Sequence, residues 1–226
     1  IANKTYDQFG NVTDDAAPVG GGQVERCRQI SYDTAFADLP VTETIFRGGC
    51  GTAPLTTQAD FDRGFELASE VRDWNAQPAR MTYDHFGRLT ALIRPLPGGG
   101  AGAVETVKLA YFLPPDLNKP YSAIHSMTQD GGGPADTKYL ESVSFVDGMG
   151  RTRATLKEAD KAAGDGGDWV AGGFVDFDAK GALRRKYLEV FFTGTWQSFD
   201  VSVAPSAPYG RQRYDAFGRQ LQTFDL

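Results

Sequence analysis

Tyr83-Asp84-His85-Phe86-Gly87-Arg88-Leu89 is the stretch that decides the fold, because the same word recurs in worn copies along the chain. Tyr6-Asp7-Gln8-Phe9-Gly10-Asn11-Val12 is one copy and Tyr214-Asp215-Ala216-Phe217-Gly218-Arg219-Gln220 another. Val146-Asp147-Gly148-Met149-Gly150-Arg151-Thr152 and Phe177-Asp178-Ala179-Lys180-Gly181-Ala182-Leu183 are looser. In all five an aromatic or apolar residue precedes Asp, and Gly follows Asp by three. A self-similar word of this kind marks a repeat architecture and takes precedence over local propensity.

Asp is favoured at the first position of a type I turn, where its carboxylate accepts nearby backbone N–H groups, and Gly is favoured at the fourth. A glycine there takes positive φ without steric cost and lets the turn close a hairpin through a bulge. The word therefore predicts strands that end at Tyr6, Tyr83, Val146, Phe177 and Tyr214, each turning into a second strand. Phe9, Phe86, Met149 and Phe217 occupy the third turn position, and a large apolar tip is costly to leave in water. Neighbouring repeats are thus expected to cover the tips.

Outward from the central word, Arg80 to Pro95 reads as one hairpin, ended by Pro97-Gly98-Gly99-Gly100. Asp14-Asp15 and Gly20-Gly21-Gly22 read as a loop after the first word. Cys27 to Asp33 and Val41 to Phe46 are strand-like runs about a turn at Ala37-Asp38-Leu39-Pro40. Folding them back about the midpoint of Asp38 and Leu39 sets Ile30 opposite Arg47 and Cys27 opposite Cys50, the only two cysteines. Thr57 to Trp74 fits both helical spacing and strand alternation; Phe61-Asp62-Arg63-Gly64, a shortened word, favours strand. Val107 to Leu113 alternates and stops at Pro114-Pro115, Tyr121 to Thr128 is a weaker strand, and Tyr139 to Val146 leads into the fourth word. Thr155 to Ala163 is the best helical candidate, short and closed by Gly164, and a β connection would serve as well. Trp169 to Phe177, Leu183 to Thr193 and Trp196 to Val203 read as strands. Short strands and glycine-rich loops with almost no helix describe an all-β protein of stacked antiparallel hairpins.

A chain of 226 residues buries roughly 70% of its unfolded surface, enough for a core without a cofactor. Its 41% hydrophobic and 23% charged residues are ordinary for a globular protein. Net charge is −6, and no basic cluster is denser than Arg184-Arg185-Lys186, which argues against nucleic acid and anionic membrane as partners. No run approaches the ~20 apolar residues of a membrane helix. The chain begins just before one word and finishes just after another, the look of a piece of a longer protein, here a single repeat region over residues 1–226.

The words resemble the YD repeats of RHS proteins. Tyr32-Asp33 through Leu39-Pro40-Val41, then Tyr83 to Pro95, then Phe145-Val146-Asp147-Gly148-Met149-Gly150-Arg151-Thr152 follow the order of one branch. That branch is the B component of bacterial insecticidal toxin complexes (Tc toxins) and the related virulence-plasmid toxin proteins, and the likeness spans nearly the whole chain. The resemblance implies hairpin ribbons wound into a spiral, an open and curved part of a hollow shell around a C-terminal toxin or effector segment. It implies a secreted protein made in the cytoplasm. The expected partners are the remainder of the shell, its cargo and a pore-forming toxin subunit. The sequence lacks the family's Asp-Pro-x-Gly-Leu core ending associated with self-cleavage, a cargo segment and the propeller-like docking region. A family acting outside the cell suits a Cys27–Cys50 disulfide.

No catalytic constellation stands out. His85 lies inside a turn word where other copies carry Gln8 and Ala216. His125 beside Ser126 has no Gly-x-Ser-x-Gly elbow. Cys27, Cys50, His85 and His125 match no zinc spacing. Asp176-Phe177-Asp178-Ala179-Lys180-Gly181 opens like a calcium loop, but Lys180 and Tyr187 fall where oxygen ligands belong. The triple glycines precede no Gly-Lys-Ser/Thr. The expectation is a non-catalytic wall segment with no cofactor. The alternative is a carbohydrate- or protein-binding module using Trp74, Trp169, Trp196 and other aromatics. An exposed aromatic platform favours the alternative, and buried repeat rings favour the wall.

Overall fold

The computed structural model describes residues 3–17, 26–114, 121–202 and 205–225. The expected glycine loop at Gly20–Gly22 and the stop at Pro115 lie outside the described residues. Contacts group the chain into two compact units, Ile1–Val107 with Gly131–Thr137, and Lys108–Asp130 with Lys138–Leu226. Among the described residues regular structure is strand, apart from two single 3₁₀ turns.

The first unit holds eight strands: β1 (Asn3–Tyr6), β2 (Val12–Ala17), β3 (Arg26–Tyr32), β4 (Pro40–Phe46), β5 (Pro54–Asp62), β6 (Leu67–Arg72), β7 (Pro78–Tyr83) and β8 (Leu89–Ile93). Each pairs antiparallel with the next in sequence. Cross-strand polar pairs line the sheet: Thr5–Thr13, Thr44–Thr56 and Thr82–Thr90 share hydroxyl hydrogen bonds of 2.9 to 3.0 Å. Asp60, Arg72, Glu70 and Arg80 form a row of ion pairs across three strands. Among the described residues of this unit the buried hydrophobics are Cys27, Leu39 and Ala91, so the sheet has little core of its own. The segment Thr57 to Trp74 is strand, as its alternation and shortened word favoured.

β2 corrects the loop expected at Asp14-Asp15. Acidic residues disfavour strands, but Asp14 accepts hydrogen bonds from the Thr5 hydroxyl and from Gln29 on the flanking strands. The β3–β4 register is also corrected: Cys27 faces Phe46 and Ile30 faces Glu43. The turn is centred on Phe36 rather than on Asp38–Leu39, because Asp33 gathers the N–H groups of Ala35, Phe36, Asp38 and Leu39. Cys50 lies beyond β4, in the 47–53 connection. That connection brings its Cα to 5.1 Å from that of Cys27, and the two are disulfide-bonded.

The second unit contains β9 (Val107–Phe112), β10 (Tyr121–Gln129), β11 (Tyr139–Asp147), β12 (Thr152–Glu158), β13 (Trp169–Gly172) and β16 (Val190–Phe192), adjacent in that order. A separate four-stranded sheet runs β14 (Val175–Phe177), β15 (Leu183–Tyr187), β17 (Tyr209–Tyr214), β18 (Gln220–Phe224). Three expectations are corrected here. Thr155–Ala163 is no helix: Ala154 and Leu156 are buried at a period of two, so β12 continues to Glu158. Only Lys161–Ala163 turns, capped by Asp160 through the Ala163 N–H at 3.0 Å. Trp169–Phe177 and Leu183–Thr193 are each divided between the two sheets, the first broken at Gly173 with φ +64°.

Trp196–Ser198 is a 3₁₀ turn and not the start of a strand. Trp196, Phe199 and Val201 are spaced for a strap laid over the sheet rather than for a ladder. Register puts Tyr121, Ala123 and His125 of β10 on one face with Phe145 and Val143 of β11, Ala154 and Leu156 of β12, and Trp169 and Ala171 of β13. Phe199 packs on Phe145 and Phe192, with ring centroids 5.4 and 5.0 Å apart, and Val201 is buried with them. This covered face is the core of the unit.

Candidate functional site: the turn row

Each word folds into the same small device. In the Asp84 turn the Gly87 N–H donates to the Asp84 carbonyl (3.0 Å), and the Asp84 N–H donates to the Arg88 carbonyl (2.9 Å). Gly87 has φ +73°, and the strand register slips between Thr82 and Tyr83, the bulge that such a turn imposes. Asp84 Oδ1 accepts the N–H groups of Phe86 and Arg88 at 2.9 and 3.0 Å, while Oδ2 accepts Arg88 Nε at 2.7 Å. Asp147 repeats the pattern with Met149 and Arg151, and Asp215 with Phe217 and Arg219. Asp7 substitutes the Asn11 amide for the guanidinium, at 2.9 Å. Asp178 keeps the two backbone bonds, to Lys180 and Ala182. Gly10, Gly150, Gly181 and Gly218 all have positive φ.

One turn of the same kind escaped the sequence reading, and another was expected but misplaced. Asp73 accepts the Asn75 and Gln77 N–H groups at 2.9 Å, with Ala76 at φ +60° where the words carry Gly. Asp33 anchors a turn two residues longer, with Ala37 at φ +57°. The short word at Phe61 places its positive φ at Glu66 rather than Gly64. An Asp in register with the preceding strand was the signal to follow, and insisting on Gly concealed it.

Asp84, Asp147, Asp215 and Asp33 are held as anions. For Asp84 and Asp147 desolvation is the largest single influence and raises the pKa. The backbone N–H groups and the Arg side chain outweigh it, so both lie below the ordinary value. Asp215 is lowered first by the Arg219 N–H, and Asp33 strongly by the N–H groups of Leu39 and Phe36.

In the first unit several of these turns also grip a neighbouring hairpin. The Tyr83 hydroxyl donates to the Ala68 carbonyl at 2.8 Å, and Tyr32 donates to the Val12 carbonyl at 3.2 Å. Both acceptors belong to the residue opposite the preceding hairpin's bulge. Asn11 Nδ2 donates to the Ala37 carbonyl, and Arg63 pairs with Asp33 and Asp38 while its guanidinium lies 4.7 Å from the Phe36 centroid. A Cβ on Gly87 would sit 3.2 Å from Phe65 Cδ1. Within the second unit the corresponding grip is Arg151 over the Phe177 ring at 4.0 Å, with Arg153 Nε donating to the Val175 carbonyl at 3.0 Å.

The expected burial of the tips is corrected. Phe9 is 64% exposed, Phe86 80%, Met149 76% and Phe217 84%. Two of these rings have the turn arginine for company, 5.2 Å from the Phe86 centroid and 5.5 Å from that of Phe217. His85 is exposed, and His125 Nε2 lies 2.8 Å from Glu141 Oε2. No group of three metal-ligating side chains gathers among the described residues. In the first unit the β1–β2, β3–β4 and β7–β8 turns carry carboxylates, guanidinium groups and bare rings along one edge of the sheet, an arrangement that suits docking.

No protein-family profile and no curated protein matches the sequence. Solved structures do match. A crystal structure of TcdB2-TccC3 superposes with a TM-score of 0.75 at 18% identity, over 98% of this chain and 12% of that one. A TcdB2-TccC3-Cdc42 crystal structure gives 0.75 at 15% identity, over 98% and 15% of the two chains. A Photorhabdus luminescens Tc holotoxin pore with a TccC3 variant gives 0.74 at 14%, over 98% and 14%. The chain therefore spans a small part of the length of these proteins, and along nearly all of its own length its fold is that of the Tc toxin TcdB2-TccC3.

Proposed function

We propose that this chain is a wall segment of a hollow β-shell that encloses and protects a C-terminal toxin or effector segment, and that it performs no chemistry of its own. The observation that carries the reading is the first unit: eight strands side by side in sequence order, with three buried hydrophobics among its described residues, gripped hairpin to hairpin at its turns. Such a sheet gains little from a core and much from being one piece of a larger curved surface. Superposition on Tc toxin chains over nearly the whole length supports the same role. In that setting the exposed Phe9, Phe86 and Phe217 meet neighbouring windings, the cargo lies on the opposite side of the wall, and a pore-forming subunit receives the contents of a secreted shell.

Those exposed rings also favour a second reading, a carbohydrate- or protein-binding surface. They occur once per hairpin and each is attended by its own arginine or turn, so they form a row of separate contacts rather than one stacked platform. Limited proteolysis of the full-length parent separates the readings. With the Asp84 and Gly87 turns disrupted, the C-terminal segment is expected to become protease-sensitive while the wild type protects it. Equal protection or equal digestion in both rejects the wall.

A further inference from the structure

The densest basic run of the sequence, Arg184-Arg185-Lys186, lies on β15 of the four-stranded sheet, and its middle residue faces another cation. Register sets Arg185 opposite Asp176 of β14 on one side and opposite Arg211 of β17 on the other. Arg211 in turn stands opposite Phe224 of β18. Side chains paired in this way have Cβ atoms about 5 Å apart, and like charges so placed repel. On this face β15, β17 and β18 carry Arg185, Arg211 and Arg213, and no acidic residue among the described residues. Asp176 is already shared. It lies 3.6 Å from Arg153 and 3.8 Å from Arg185, and it accepts the Tyr187 hydroxyl at 3.1 Å.

Both guanidinium groups are nevertheless held in place. Arg185 lies 4.8 Å from the Tyr209 centroid and Arg211 5.1 Å from that of Phe224. Arg185 donates through Nη1 to the Tyr187 hydroxyl at 3.3 Å, and its buried Nε meets no acceptor among the described residues. The face opens toward β18, where Tyr209 is 39% and Phe224 44% exposed. Two fixed cations side by side on an accessible face are complementary to an oxyanion.

We propose that this pair binds an acidic polypeptide segment through an Asp or Glu carboxylate, which accepts N–H groups from Arg185 and Arg211 together. A planar carboxylate matches the guanidinium fork. The Tyr209 and Phe224 rings flank it and cover the methylene stem, which a free phosphate does not have. Once bound, the carboxylate offsets the repulsion within the pair, so ligand and sheet stabilise each other. The site stands on this one sheet and needs no part of the enclosure reading.

The test follows arginine Nε–Hε signals by NMR in the isotope-labelled 226-residue chain during peptide titration. A Gly/Ser-rich dodecapeptide with a central Glu-Glu-Glu is expected to shift Arg185 and Arg211 saturably, with half-saturation below about 5 mM. Its Gln-Gln-Gln counterpart is expected to shift neither. R211Q should weaken the Glu peptide about tenfold, whereas R184Q, which removes the same charge from the opposite face, should change it less than about twofold. Without peptide R211Q should melt no lower than wild type, because it removes a repulsion. A melting temperature more than about 4 °C lower would make Arg211 a support of the sheet and overturns the proposal. So does equal weakening by R184Q and R211Q, the mark of a diffuse charge effect. So does the absence of saturation, or saturation by inorganic phosphate without response to the Glu peptide, an adventitious ion only. Protease protection in the parent bears on none of these outcomes, and the enclosure reading is judged separately.

Discussion

Replacing Gly87 distinguishes the backbone demand of the turn from its grip on the previous hairpin. Gly87 has φ +73° and Gly150 φ +78°, so both sit in the left-handed region. A Cβ at Gly150 meets nothing within 4 Å, whereas at Gly87 it meets Phe65 Cδ1 at 3.2 Å and Leu67 Cδ1 at 3.5 Å. Placing an L-residue in that region costs about 1–2 kcal/mol, and restricting the unfolded chain returns about 0.4–1 kcal/mol. G150A should therefore destabilise by about 1 kcal/mol, a fall in Tm of about 2–4 °C for a chain of this size. Ala76 at φ +60° shows that alanine can hold such a position. G87A should fall slightly further, since Phe65, 42% exposed, can swing aside. G87V adds a β-branched side chain with no such relief and should lose about 3 kcal/mol, roughly 6–12 °C. Thermal melts followed by far-ultraviolet circular dichroism read these three together with G150V. An unchanged Tm for G87V would refute the positive-φ turn, and G87V no worse than G150V would refute the contact with Phe65.

Phe86→Ala should shift stability by no more than about 0.5 kcal/mol in urea melts, because the ring is 80% exposed; a loss of several kcal/mol would mean the ring is covered. Tyr83→Phe removes the hydroxyl bond to the Ala68 carbonyl and should cost about 1 kcal/mol, measured the same way against wild type. Reduction should add two thiols to the count by alkylation and mass, and breaking Cys27–Cys50 should cost about 3 kcal/mol. The lowered pKa values of Asp84, Asp147 and Asp215 set a pH dependence. These groups are depressed in the folded state, so their contribution is fully present above the unfolded value near 4 and is lost as pH falls below it. The Tm should stay level from pH 7 to 5 and drop below about 4; a drop already complete by pH 5 contradicts the turn geometry.

The turns were legible because everything that makes them is local: Asp84, Gly87 and Arg88 satisfy one another within five residues. Strand existence followed from the turns, and Thr57 to Trp74 was resolved by a word rather than by propensity. What escaped depended on partners distant in sequence. β2 is a strand because Thr5 and Gln29 satisfy Asp14, and nothing within Asp14-Asp15 announces that. The Cys27 register failed because Asp33 anchors a longer turn than the word taught. The strap at Trp196 carries strand-like composition but is shaped by the face it covers. Ala76 hid one turn, and Ala37 the true centre of another, by doing with a methyl group what glycine does elsewhere.

The strict neighbour-to-neighbour order of β1 to β8 has a mechanical consequence. Each strand of that unit is hydrogen-bonded to the strands beside it in sequence, and no later strand is inserted between earlier ones. A pull applied at Asn3 loads a single ladder at its end, so the bonds part in succession rather than together. Each Asp-anchored turn then holds until its own ladder is gone, and energy is coupled only from one repeat to the next. Stretched from that end, the sheet should yield as a series of small, evenly sized steps at low force, one per hairpin, which a single-molecule extension trace would display. The second unit is wired differently: β16 returns to β13 around the excursion of β14 and β15, so tension must open that closed loop in one larger event. A wall made of the first kind of sheet can be drawn out like a thread from a hem, and the second unit is the knot at which the drawing stops.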